Sequence, residues 1–140
     1  MMSILSKKSI LVTGGTGSIG TALVKKAITD NAKLIRIFSN DENGLYEMET
    51  EYGNYKNIEY VIGDIQNPEI VSEIVKDIDI VFHAAALKHV DRCELNPLET
   101  INVNIIGTKN IVKAAQRENI QRMIFISTDK AVNPIGVMGA

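Results

Sequence analysis

Three consecutive side chains toward the C-terminal end, Thr128, Asp129 and Lys130, offer a hydroxyl, an acid and an amine. Side by side they could hold a substrate oxygen, give a proton and take one, which is general acid–base chemistry. On spacing alone, a surface turn carrying a charge pair accounts for them more simply. Their place in the fold therefore decides how they are read.

A second pattern lies near the N-terminus, where S-I-L-V-T-G-G-T-G-S-I-G runs from Ser9 to Gly20. Its glycines fit both G-x-G-x-x-G (Gly15, Gly17, Gly20) and T-G-x-x-G-x-x-G (Thr13, Gly14, Gly17, Gly20). An apolar strand entering such a turn and leaving as a helix binds a dinucleotide pyrophosphate: the backbone comes close to phosphate without a Cβ in the way. The helix opens near Ser18, and its first N–H groups and dipole favour negative charge. Gly14, Thr16, Gly17, Ser18 and Ile19 are the expected phosphate-side contacts.

These residues need a scaffold, and the chain spells one out. Strand-like apolar runs occur at Ser9–Thr13, Lys33–Phe38, Ile58–Ile62, Ile80–Ala84 and Met123–Ser127, with helical patterns between them. Continuous apolar strands alternating with helices predict an α/β fold of Rossmann type, a doubly wound, mostly parallel sheet with helices on both faces. Ile19, Leu23, Ala27 and Ile28 form the expected buried stripe of the first helix. Asn67-Pro68 reads as N-cap and N1 of a helix running to about Lys76, and Asn96-Pro97 starts a long helical segment, Leu98–Arg117.

Ligands of such folds sit beyond the carboxyl ends of the strands. Strand two ends in F-S-N-D, so Ser39, followed by Asn40, stands where NAD-selective enzymes place a carboxylate. This leans toward NADP, with NAD as the alternative because Asp41 and Glu42 lie close and no arginine is adjacent. After strand three, Asp64 and Ile65 follow Gly63, and Asp64 could accept a hydrogen bond from the adenine amino group; loop capping is its other role. Strand four delivers H-A-A-A-L-K-H-V, whose alanines, Ala84, Ala85 and Ala86, let cofactor and backbone meet. His83 reads as a structural hydrogen-bonding residue and His89 as a loop histidine near the expected nicotinamide.

The 140 residues are 45% hydrophobic and 23% charged, which suits one soluble domain with a real core. Fifteen basic and 17 acidic residues give a net charge of −2. The cations are scattered, which argues against a nucleic-acid partner. Cys93 is the single cysteine, so no internal disulfide or cysteine metal cluster can form. No His/Cys spacing suits a metal, and the glycine turn lacks the G-K-[ST] of a P-loop. No apolar run reaches the roughly 18 residues of a membrane span, and no signal-peptide core is visible. A cytoplasmic protein without a membrane partner is expected.

The motifs H-A-A-A-L-K-H-V (His83–Val90), N-x-x-G-T (Asn104–Thr108) and S-T-D-K-A (Ser127–Ala131) together resemble those of extended short-chain dehydrogenase/reductases. They are most similar to the polysaccharide-biosynthesis type, the sugar-nucleotide dehydratases, and the likeness runs from about Lys8 to the last residue. It implies that Ala84, Ala85 and Lys88 contact cofactor phosphate and nicotinamide ribose, that Asn104 holds the central cofactor-facing structure, and that Ser127 adjoins the cofactor. It also implies a 4,6-dehydration of a UDP-linked sugar such as UDP-N-acetylglucosamine. Thr128 would bind the C4 oxygen, Asp129 would be the acid at C6 and Lys130 the base at C5. Burial would have to raise the pKa of the acid.

Two departures bear on this. The family's Y-x-x-x-K would place a tyrosine at Met138, which cannot exchange a proton, and its lysine would fall beyond Ala140. Residues 1–140 are thus expected to be a truncated N-terminal NAD(P)-binding domain, inactive alone, lacking the sugar-nucleotide-binding portion and homo-oligomeric when full length. A C4 epimerase, a 4-keto reductase or a non-catalytic NADP sensor are the alternatives.

Overall fold

Five apolar runs become five parallel strands in the computed structural model, which describes residues 3–134 and 136. They are β1 (Ser9–Thr13), β2 (Leu34–Ser39), β3 (Ile58–Ile62), β4 (Ile80–His83) and β5 (Arg122–Phe125), ordered β3-β2-β1-β4-β5. The helices are α1 (Ser18–Thr29), α2 (Glu42–Tyr52), α3 (Pro68–Ile74), α4 (Val90–Leu95), α5 (Pro97–Ile101) and α6 (Thr108–Arg117). A π-helical turn, Asn102–Gly107, joins α5 to α6.

Every residue of the central strand β1 is buried. Its side chains alternate between two cores, as the period of a strand requires. Ile10 and Val12 pack with Ile35, Ile37, Val24 and Ala27 of α1, and Leu45 and Met48 of α2. Leu11 packs with Phe38 and Val81, Val71 and Ile74 of α3, and Ile111 and Ala114 of α6. Helices thus cover both faces of the sheet. No helix among the described residues is long and apolar enough to cross a membrane.

Order 3-2-1-4-5 means that the chain first winds outward from β1 and then returns past it to β4. The topological switch falls between β1 and β4, where two loops part in opposite directions and leave a crevice. Here β1 stops at Thr13 because Gly14 takes a φ of +66°. With β1 ended, β4 has no partner past His83, one residue short of the expected Ala84, and β5 in turn stops at Phe125 instead of Ser127.

Four further expectations are corrected. The buried face of α1 is Gly20, Val24 and Ala27, with Leu23 and Ile28 partly buried, while Ile19 is 52% exposed. The stripe is rotated by one position because Gly20 must lie flat on the turn. Asn67 does cap α3, accepting from the N–H groups of Glu69 (2.9 Å) and Ile70 (3.3 Å), but the helix ends at Ile74 instead of Lys76. Asn96 precedes Pro97 of α5 without capping it; its side chain donates to the Arg92 carbonyl at the end of α4. The single helix expected over Leu98–Arg117 is instead α5, the π turn and α6.

Candidate functional site

The turn after β1 is locked by backbone that no larger residue could share. A Cβ on Gly14 would lie 2.7–2.8 Å from backbone atoms of Ala84 and Ala85, and one on Gly20 would lie 2.2 Å from the Gly14 carbonyl oxygen. The Gly14 turn is therefore clamped between the loop leaving β4 and the first turn of α1. Gly17 is its N-cap, and no side chain caps the helix, which leaves the first-turn N–H groups of α1 as donors at the cleft.

Two cavities open at the carboxyl ends of the strands, with Ala84–Lys88 as their common wall. One, of about 250 Å³, is lined by Gly14, Thr16 and Gly17 of the turn, Ser39 and Asn40 after β2, and Asp64 and Ile65 after β3. The other, of about 530 Å³, is lined by Ile19, Asn104, Phe125 and the run Ser127–Lys130 after β5. Of the site residues expected from sequence, only Ser18 lines neither cavity; it stands at the first position of α1. Ile19, displaced from the core, instead faces the larger one.

The common wall is held by a chain of hydrogen bonds centred on His83, which is 1% exposed. Its Nδ1 lies 2.6 Å from Thr13 Oγ1 and its Nε2 lies 2.9 Å from Thr108 Oγ1. Thr108 gives its only hydroxyl proton to the Asn104 carbonyl (2.7 Å). It must therefore accept from Nε2–H, which leaves Nδ1 to accept from Thr13. Burial pushes the ring's pKa down to about 4, so it is neutral near pH 7. Asn104 completes the chain: its amide donates to the Leu87 carbonyl (3.0 Å) and accepts from the Leu87 N–H (2.8 Å). The π turn presents Asn104 to this loop. His83 is thus structural, and its partners Thr13 and Thr108 stand in the two motifs quoted above, T-G-x-x-G-x-x-G and N-x-x-G-T, which gave them no role of their own.

On the smaller cavity, Ser39 Oγ lies 2.8 Å from Thr16 Oγ1 and accepts from the Asp41 N–H (3.2 Å). The Asp41 carboxylate accepts from the Gly44 N–H at the start of α2 (3.0 Å). Asp64 is held by Gln66, whose backbone and side-chain N–H groups each donate to one carboxylate oxygen (2.8 and 3.1 Å). Loop capping, one of the two roles expected for Asp64, is thus present, and its carboxylate also lines the cavity.

On the larger cavity, Thr128 caps a 3-10 turn, Asp129–Ala131, accepting from the Lys130 N–H (3.2 Å). Lys130 Nζ lies 2.8 and 3.0 Å from the two Asp129 oxygens. This corrects one expectation: the hydrogen bond from Lys130 lowers the Asp129 pKa, whereas an acid at this position requires it raised. The Asp129 side chain is 82% exposed, so the opposition of burial to its charge is outweighed by Lys130. Met138 lies outside the described residues.

Parallel strands in this order, a glycine turn at the switch point and a polar crevice above it define a Rossmann-type domain of the nucleotide-binding kind. The chain belongs to the family described as polysaccharide biosynthesis protein, which matches residues 10–140. It is 49% identical over 133 residues to an uncharacterized membrane protein of Methanocaldococcus jannaschii and 46% identical over 136 residues to UDP-glucose 4-epimerase of Rickettsia bellii. These alignments cover 95% and 94% of the chain but 40% of each relative, so the chain spans about two fifths of their length. Among solved structures, Pen from Bacillus thuringiensis superposes with a TM-score of 0.95 at 38% identity, over 97% of this chain and 42% of that one. A UDP-N-acetylglucosamine 4-epimerase from Methanobrevibacter ruminantium, in complex with UDP-N-acetylmuramic acid, superposes with a TM-score of 0.82 at 29% identity, over 96% and 46%.

Proposed function

We propose that the chain is the dinucleotide-binding N-terminal part of a nucleotide-sugar 4,6-dehydratase. The observation that carries this reading is the pair of cavities sharing the Ala84–Lys88 wall, with Thr128, Asp129 and Lys130 on the rim of the larger. The donor set fits a dinucleotide: uncapped N–H groups of α1 for the pyrophosphate, Ser39 and Asn40 for the ribose, Asp64 and Ile65 for the base. Ser39 in place of an acid favours NADP over NAD. When bound, the cofactor supplies reversible hydride transfer to and from the sugar.

The chain's own residues then have distinct tasks. Thr128 Oγ1 holds the C4 oxygen and passes the C4 hydroxyl proton on to water as the ketone forms; Lys130 takes the proton from C5, made acidic by that ketone; Asp129 protonates the C6 hydroxyl, which leaves as water. For this the sugar must part the Asp129–Lys130 pair and bury the carboxyl, since the open cleft holds its pKa low. UDP-N-acetylglucosamine is the proposed substrate, supported by the motif likeness and by the UDP-sugar names of two relatives. The same reading makes the full-length protein a cytoplasmic homo-oligomer and residues 1–140 inactive alone.

A second reading, a UDP-sugar 4-epimerase, is favoured by the Rickettsia bellii relative and by the lowered Asp129 pKa, because epimerisation at C4 needs no acid at C6. Protein extended to its natural C-terminus, incubated with UDP-N-acetylglucosamine in D₂O, separates the two. Loss of one water with deuterium at C5 is the dehydratase result. A C4 epimer without water loss gives the second reading, and unchanged sugar contradicts UDP-N-acetylglucosamine as the substrate.

A further inference from the structure

At the base end of the smaller cavity, two carboxylates meet across one amide. Gln66 Nε2 donates to Asp64 Oδ2 at 3.1 Å and to Glu99 Oε1 at 2.9 Å. An amide set between two carboxylates has only one orientation, with both of its protons spent on them. The Gln66 backbone N–H takes the other Asp64 oxygen at 2.8 Å. The Gln66 backbone is itself fixed, because Asn110 Nδ2 of α6 donates to the carbonyls of Ile65 (3.0 Å) and Gln66 (3.1 Å). Glu99 comes from α5, on the opposite lip of the cavity, so the amide bridges the cleft from the β3 loop to α5.

We infer that Glu99, acting through Gln66, is a positioning residue that aims Asp64 into the cleft and selects a base presenting an amino group there. The inference rests on the dinucleotide reading above. Asp64 and Glu99 are the carboxylates lining this cavity at its base end besides Asp41 at the ribose end, and Ile65 and Val103 supply apolar surface for a flat ring. Ionised carboxylates only accept hydrogen bonds. Adenine offers them its exocyclic N–H group; hypoxanthine, of the same shape, offers a carbonyl oxygen that they repel. A site built around an acceptor rejects the isostere that lacks the donor.

The test is fluorescence titration of the 140-residue chain with NADPH and with its hypoxanthine counterpart, the reduced deamino dinucleotide phosphate. Wild type should prefer NADPH by about 10- to 100-fold, the range of a hydrogen bond to a charged group. Glu99→Ala should cut that preference to about threefold or less, whereas Glu99→Gln, whose carbonyl can still accept from Gln66, should keep most of it. Gln66→Met keeps the backbone N–H on Asp64 and serves as a second variant should Glu99→Ala not fold. Wild-type preference retained in both Glu99→Ala and Gln66→Met, or equal weakening toward both dinucleotides, overturns the inference. Wild-type binding without preference also overturns it, and no binding of either dinucleotide overturns the dinucleotide reading with it.

Discussion

Replacing His83 with glutamine should flatten the response of stability to acid. The ring is buried between Thr13 and Thr108, and burial sets its folded pKa at about 4, against roughly 6.5 in an unfolded chain. Above the unfolded value both states are neutral and the site's contribution is intact. As pH falls from 6.5 toward 4, the unfolded chain takes up a proton that the folded one refuses, so stability is progressively lost. At pH 5 the unfolded state is favoured by protonation roughly 30-fold more than the folded state, which amounts to about 2 kcal/mol relative to pH 7.5. Carboxylates titrate mostly below this window, and a glutamine does not titrate at all, though its amide can serve both threonines. Urea unfolding at pH 7.5 and pH 5 measures the difference. Wild type should lose about 2 kcal/mol more than His83→Gln across that interval; equal losses in the two proteins would refute a buried, neutral His83.

Other variants separate the site from its scaffold. Asn104→Ala leaves the N–H and carbonyl of Leu87 without their partner, so dinucleotide affinity in a fluorescence titration should fall about tenfold while the melting temperature moves little. Gly20→Ala drives a Cβ into the Gly14 carbonyl, where only backbone could give way; we expect about 1–3 kcal/mol of lost stability by urea unfolding and weakened dinucleotide binding as α1 is pushed off the turn. Asn67→Ala removes the cap of α3, far from the phosphate turn, and should cost about 1 kcal/mol of stability with dinucleotide affinity unchanged.

What could be read from sequence was whatever a single local pattern determines. The β1 run Ser9–Thr13 and the β3 run Ile58–Ile62 have the expected ends because apolar residues stop where the glycine-bearing loops begin. The start of α3 was legible in Asn67-Pro68 because capping is a property of neighbouring residues. Features set by distant partners were not. The ends of β4 and β5 depend on where β1 stops, and the rotation of α1 depends on Gly20 meeting Gly14. The π turn carries no composition that marks it, since its purpose is a contact between Asn104 and a loop 17 residues earlier. Glu99 and Gln66 were invisible for the same reason: they are 33 residues apart, and each reads alone as a solvated surface residue. Thr128, Asp129 and Lys130 were found by residue type, and the exposed charge pair that their adjacency suggested is present, but its place on the rim of the larger cavity depends on where β5 ends.

The central claim, that a dinucleotide occupies the two cavities above β1 and β4, is tested most directly by following backbone amides of the ¹⁵N-labelled chain by NMR as NADP is added. The account predicts saturable shifts grouped at Gly14–Ile19, Ser39–Asn40, Asp64–Gln66 and Ala84–Lys88, on the loops that line those cavities. An unchanged spectrum, or shifts confined to the groove between α3 and α6, would contradict it.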